Sequence, residues 1–459
     1  MDAQKPAWDN LDYKAAMEAP EAAGVLERLG RLIACPTVSS HEPGGADQAV
    51  FAHFREDLLP SLYPLIHRHL RREQVGDTGL LYLWKGRSSD QPIVLMSHYD
   101  VVPVDAATWT HPPFGGEIHD GQLWGRGSLD TKVTLCAVLE AVESGLAAGF
   151  EPENDLYLSF AGDEEVIGLT APAIVDLLAS RGIRPALVLD EGGAVLSGAF
   201  PGVPGRVAMI GVAEKGMIDL ELTAPGGGGH ASVPPRHTAV GRLAQAVVRA
   251  ERKHMRRAYP RTVRDMLATL APQVPASMRI LLRLLRLTGP VGAWLLGRLN
   301  PQLGAMTRTT FAFTRLSGSP QANVLPSEAS AVVNVRIRQG DSIDRVLRHL
   351  KRAVRDPGIS FRILQGNEPS PETAIDSPAY RKVLDATSRI WPDAIALPYL
   401  MVACTDSRHF CRISDYVLRF SAMEITADQL ASIHNADERI STDAVLQRVA
   451  LYKELGLGL

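Results

Sequence analysis

The sequence predicts an α/β protein with a central mixed, largely parallel sheet, interrupted by an inserted α+β module. Three observations predict it. Short apolar runs alternate with helical patterns over the first 200 residues, the pattern changes near Glu214 to apolar/polar alternation, and strand–helix alternation resumes after a Pro-rich segment, GNEPSPET. The 459 residues suit two or three domains, and 46% hydrophobic with 22% charged residues excludes a disordered chain.

In the first part, Ile93–Met96, Leu156–Phe160 and Ala186–Leu189 read as buried strands, with helices at 132–148 and 171–180. From Glu214 on, 217–223, 309–315 and 329–338 read as half-exposed strands, with helices at 238–252 and 342–354. The tail reads as a helix at 379–390, a strand at 416–420 and a helix around 427–436. The domains are therefore 1–213 and 370–459 for the body and 214–369 for the insert.

Net charge is −3, which argues against nucleic-acid binding, yet residues 249–308 hold twelve Lys/Arg against Glu251 and Asp265. This basic helical insert includes an apolar stretch, 278–299, with Arg279, Arg283 and Arg286 at helical spacing. It reads as a surface helix pair, or more sharply as an amphipathic lid contacting an acyl chain or a membrane surface. Four cysteines without C-x-x-C spacing suit a reducing compartment, and the polar start lacks the order of a signal peptide, so the expected location is cytoplasmic. Gly226-x-Gly228-x-x-Ala231 resembles a dinucleotide fingerprint, but Val233-Pro234-Pro235 stands where that motif needs a helix.

The chemistry lies beyond the carboxyl ends of the strands, where open α/β sheets place function. His98 and Asp100 follow one strand, Asp163-Glu164-Glu165 another and Asp190-Glu191 a third; Asp130 precedes a helix and His434 lies near the C-terminus. Singly, each has an ordinary reading: a core histidine, a solvated turn, a helix N-cap. Together they would converge, and converging acids need a neutralising cation. Mixed His and carboxylate donors suit Zn²⁺ or a similar ion. His98 and Asp100, two apart on a strand end, point the same way, so Asp100 can orient the imidazole.

The segments MSHYDVVPV, LWGRGSLDTK, FAGDEEVIG, VLDEGG and IHNADERIS, in this order, resemble the co-catalytic di-zinc peptidase family of glutamate carboxypeptidase, aminoacylase and succinyl-diaminopimelate desuccinylase, and within it the branch of carboxypeptidase S and N-fatty-acyl-amino-acid synthase/hydrolase. The resemblance implies a zinc-peptidase-like sandwich with a ferredoxin-like lid and dimerisation domain. It implies two Zn²⁺ bridged by Asp130, one completed by His98 and Asp190, the other by Glu165 and His434. Glu164 would be the general base and acid, Asp100 the partner of His98, and His230 an oxyanion donor supplied across a homodimer. Asn323 and Arg336 would bind the substrate's carboxylate, and Thr405–Arg408 would form a further substrate-facing loop. Thr131 stands where the family has an acid or methionine, and a cis peptide is implied between Asp130 and Thr131. The expected reaction is hydrolysis of an amide next to a free carboxylate, in a peptide or an N-acyl amino acid. The competing reading is a metal-binding module without catalysis, which would not need Glu164 and Asp100.

Overall fold

The computed structural model describes residues 20–42, 44–198, 203, 205–299 and 301–456. The polar N-terminal stretch, 1–19, lies outside them. The chain divides into two compact units, one of 1–212, 373–398 and 405–459, the other of 213–372 and 399–404.

An eight-stranded sheet organises the first unit, in the order Arg71–Val75, Gly79–Trp84, Asn154–Ala161, Ser88–His98, Leu187–Ser197, Val417–Ile425, Arg206–Glu214, Ile395–Met401. Four central strands are parallel: Ser88–His98 lies between Asn154–Ala161 and Leu187–Ser197, and Val417–Ile425 continues the set. Their apolar runs are buried on both faces, as parallel strands require. Helix Lys132–Ala147 is buried around nearly its whole circumference, so its small and branched residues pack between layers instead of facing water.

The second unit carries an antiparallel sheet in the order Thr310–Ser317, Glu328–Ile337, Gly216–Pro225, Ser360–Asn367. With helices Ala239–Arg252 and Ile343–Val354 after the first and third strands in chain order, this is the ferredoxin-like βαββαβ arrangement. Thr238 and Ser342 cap those helices through their hydroxyls, and stripes such as Val346, Leu350, Ala353 and Val354 pack on the sheet. Helices Arg261–Leu270, Ala276–Leu287, Gly289–Leu299 and Pro301–Met306 form the basic insert.

Two details correct the sequence reading. Residues 399–404 group with the second unit because the backbone N–H of Lys215 bonds Met401 O and the Cys404 thiol bonds Lys215 O. The helix expected around 427–436 ends at Ser432, since Ile433 turns extended and His434 adopts a left-handed φ of 61°.

Candidate metal centre

Each strand end contributes as the parallel sheet dictates, and all residues of the centre belong to the first unit. His98 ends its strand, Glu164 and Glu165 occupy a single turn after Asn154–Ala161, and Asp190 and Glu191 lie within Leu187–Ser197. Asp130 precedes helix Lys132–Ala147 but does not cap it; Thr131 is the N-cap residue, and the Asp130–Thr131 peptide is cis.

Asp130 divides its carboxylate between two histidines. Oδ1 lies 3.0 Å from His98 Nε2 and Oδ2 lies 3.1 Å from His434 Nε2. Glu165 Oε2 is 3.2 Å from the same His434 nitrogen, and Glu191 Oε1 is 3.5 Å from His98 Nε2. The donor atoms of His98, Asp130 and Glu165 lie within 4.8 Å of one another, as do those of His98, Glu164 and Glu191. Imidazole nitrogens and carboxylate oxygens in this arrangement fit divalent transition ions.

Asp190 lies beside this set and lines the same small cavity as His98, Glu164 and Glu191. Its Oδ1 accepts the backbone N–H of Glu191 at 2.9 Å and its Oδ2 that of Ser407 at 3.0 Å. The strand is irregular here, its pairing with Val417–Ile425 shifting between Asp190 and Gly193, so both acids line that cavity beside His98, with Glu191 Oε1 the oxygen 3.5 Å from His98 Nε2. Asp163 turns away, its Oδ2 accepting the backbone N–H of Thr170 at 3.2 Å.

Asp100 is fully buried and supports both sides of the centre. Its Oδ1 is 3.3 Å from His98 Nδ1, whose backbone partner is the Asp100 carbonyl at 3.1 Å. Its two oxygens also accept the backbone N–H groups of Glu164 (3.2 Å) and Glu165 (3.1 Å). One carboxylate therefore orients an imidazole and fixes the turn that separates Glu164 from Glu165.

A buttress absent from the sequence reading is Glu438, four residues after His434. It is fully buried, receives Arg126 Nη1 at 2.5 Å, and accepts the backbone N–H groups of Gly127, Leu129 and Asp130. Gly127 permits this at φ 90°, where a Cβ would meet Val101 at 3.0 Å.

The electrostatics follow from crowding. Hydrogen bonds donated to Asp130 and Glu165 raise His434 to about 10. Burial opposes charge on His98, but Glu191, Asp100 and Asp130 raise it well above the usual imidazole range. Burial and Asp130 push Glu191 up to about 8 against the pull of His98. Burial, countered by His98 and reinforced by Asp406 and Glu191, lifts Glu164 far above a normal carboxyl. Asp406 is buried beside Asp190 and reaches about 7.

The remaining candidates are placed as follows. Thr405 is buried with its hydroxyl 2.6 Å from Ser407 Oγ, and Arg408 donates to the Thr405 carbonyl at 2.6 Å, so this loop is internally bonded. In the second unit, a two-residue bridge pairs Gly229–His230 with Val324–Leu325 and sets His230 beside Asn323, the Ala231 N–H reaching Asn323 O at 2.9 Å. His230 is exposed, and its Nδ1 accepts the Ser232 N–H at 3.1 Å, which leaves the proton on Nε2. Arg336 donates to Asn334 Oδ1 at 3.0 Å and to Cys404 Sγ at 3.4 Å.

The sequence model of peptidase family M20/M25/M40 matches residues 94–457. A probable carboxypeptidase S-like protein of Dictyostelium discoideum is 33% identical over 455 residues, covering 97% of this chain and 86% of its own. The N-fatty-acyl-amino acid synthase/hydrolase of Xenopus tropicalis is 32% identical over 443 residues, covering 95% and 86%. Human carnosine dipeptidase 1 shares the fold, with a TM-score of 0.68 at 14% identity over 97% of each chain.

Proposed function

The chain belongs to peptidase family M20/M25/M40, and from that premise we propose that it is a di-zinc hydrolase cleaving an amide next to a free carboxylate, as a carboxypeptidase or dipeptidase. The observation that carries the reading is Asp100 holding the amides of Glu164 and Glu165 with one carboxylate, which keeps a proton carrier beside a ligand.

Asp130 would be shared by two ions, one also held by His98 and Glu191 and the other by Glu165 and His434; Glu191 would stand where the family resemblance implies Asp190. When bound, the ions supply Lewis acidity at the carbonyl and a water of lowered pKa. Glu164 accepts the water's proton and returns it to the departing nitrogen. His230, with its Nε2–H outward, donates to the developing oxyanion, and Asn323 and Arg336 receive the substrate's carboxylate. A homodimer supplying His230 in trans and a cytoplasmic location complete the proposal. Among the described residues no helix is long and apolar enough to cross a membrane.

A second reading, N-acyl amino acid amidohydrolysis, draws on one observation. Ile280, Leu284, Val291, Trp294 and Leu295 expose apolar side chains on helices Ala276–Leu287 and Gly289–Leu299, among Arg279, Arg283 and Arg298. Such a face suits a long acyl chain or a membrane surface that presents one. The test of both readings is amine release from dipeptides and from N-acetyl to N-oleoyl amino acids, by zinc-loaded wild type beside Glu164→Ala. Release by wild type alone supports the hydrolase and ranks its substrates; no release from any substrate with zinc bound returns the protein to a binding role.

A further inference from the structure

Two helices of the basic insert, both in the second unit, expose the kind of side chain that a water-facing helix hides. Helices Ala276–Leu287 and Gly289–Leu299 are joined through Thr288, and each is buried along one side, through Leu282 and Leu285 in the first and Ala293 and Leu296 in the second. They pack closely: a Cβ on Gly292 would meet Leu285 O at 2.2 Å. A helix packed on one side ordinarily turns polar residues outward. Here the outward positions hold Ile280 and Leu284, one turn apart, and Val291, Trp294 and Leu295, again within about one turn, with Val291 69% and Ile280 59% exposed.

The charge on this surface has a single sign. Residues 276–299 contain no Asp or Glu. Arg283 and Arg298 occupy exposed positions on the two helices, and Arg298 lies over the Trp294 ring at 4.6 Å, which sets that cation against apolar surface. Arg279 is held by the carbonyls of Ala271, Pro272 and Val274 at 3.2, 3.3 and 3.4 Å. Asp265, one of the two acids of the insert, already faces Arg261 at 3.5 Å.

Apolar side chains interleaved with arginines match both layers of an anionic bilayer at once. Its hydrocarbon takes the aliphatic groups and the indole, and its headgroup phosphates take guanidinium groups carried on long stems. Other partners match only half of the pattern. A second copy of the chain, meeting this face with its own, would bring Arg283 and Arg298 against like charges. Nucleic acid offers phosphates but nothing for the apolar side chains. The contact is with the surface of the bilayer, because among the described residues no helix is long and apolar enough to cross it.

We propose that helices Ala276–Leu287 and Gly289–Leu299 form a docking face for an anionic lipid bilayer, with the exposed apolar side chains seated in the boundary between headgroups and acyl chains. The inference goes beyond the acyl-substrate reading, since docking of this kind needs neither substrate nor metal.

The experiment sediments the full chain, at low and high salt, with vesicles of phosphatidylcholine alone or of phosphatidylcholine and phosphatidylglycerol in equal parts. Insertion is read as quenching of tryptophan fluorescence by lipid brominated on its acyl chains. Wild type should bind the anionic vesicles about ten-fold or more tighter than the neutral ones, lose affinity as salt rises, and be quenched. Trp294→Phe should still bind but lose most of the quenching. Ile280→Asp with Val291→Asp and, separately, Arg283→Glu with Arg298→Glu should each weaken binding about ten-fold or more, with melting temperatures near wild type. The exposed control Arg348→Glu should bind as wild type does. No preference for anionic vesicles, binding without quenching, or binding indifferent to both hairpin pairs would overturn the proposal. So would self-association that the aspartate pair abolishes while vesicles go unbound, which would give the face to a second copy. Should the aspartate pair unfold the protein, the arginine pair and the quenching of wild type decide. Hydrolysis of N-oleoyl-leucine without vesicles tests the acyl reading separately: docking without that turnover keeps the proposal and removes the acyl reading, and turnover without docking does the reverse.

Discussion

Arg126 and Glu438 form a fully buried ion pair at 2.5 Å, joining residues that are distant in sequence on either side of Asp130's backbone. The pair ties the loop that presents Asp130 to the segment that presents His434. Glu438→Gln would leave Arg126 buried without its counter-charge, and breaking such a pair costs about 3–5 kcal/mol. Urea denaturation should show that loss, together with a lower metal content after dialysis; unchanged stability and metal would remove the buttress role.

Glu164 and Glu165 are neighbours with different expected losses. Glu164→Ala should lower kcat by about 10²–10⁴-fold while retaining both ions by elemental analysis. Glu165→Ala should lose an ion. The reverse pattern would exchange their roles.

Asp190 and Glu191 provide a parallel contrast. Glu191→Gln should reduce bound metal, because its carboxylate faces His98. Asp190→Asn should leave stoichiometry intact and instead loosen the loop anchored by the Ser407 N–H. Metal lost only from the Asp190 variant would restore the assignment by resemblance.

Lys215 makes stability depend on pH with a definite sign. Burial places its folded value at about 7 against 10.5 in the unfolded chain. Between those values the unfolded chain binds more protons, so stability rises with pH from about 7 towards 10.5, and below 7 the full penalty of burying the charge remains. Lys215→Met should flatten that rise in denaturation curves at pH 7 and pH 9.5; an unaltered slope would contradict the burial argument.

The exposed hairpin face should matter only for long chains. Leu284→Asp with Trp294→Asp should raise KM for N-oleoyl substrates while leaving N-acetyl substrates alone. Equal turnover of acetyl and oleoyl substrates by wild type would count against an acyl role.

Much of the centre is legible because apolar strand runs end where its chemistry begins: His98 and Glu164 each follow such a run directly. Asp190 and Glu191 are not separable that way, since adjacent acids share one local signature at a point where the strand's pairing is irregular. Glu438 is harder still, because its partners Arg126 and Asp130 are set by tertiary packing and leave no pattern near residue 438. His434 sits beyond its helix for a similarly fine reason, a left-handed backbone that a histidine adopts without any glycine to announce it.

The strand Val417–Ile425 lies between Leu187–Ser197 and Arg206–Glu214 in the finished sheet. A chain emerging from the ribosome therefore exposes His98, Asp130, Glu165 and Glu191 long before the strand that completes their sheet, and before His434, exists. The second unit, almost continuous in sequence, can form in that interval, whereas the metal centre must wait for the C-terminal segment. Metal loading is thus an act of the finished protein, and a chain truncated before residue 434 would lack one histidine of the pair that Asp130 joins.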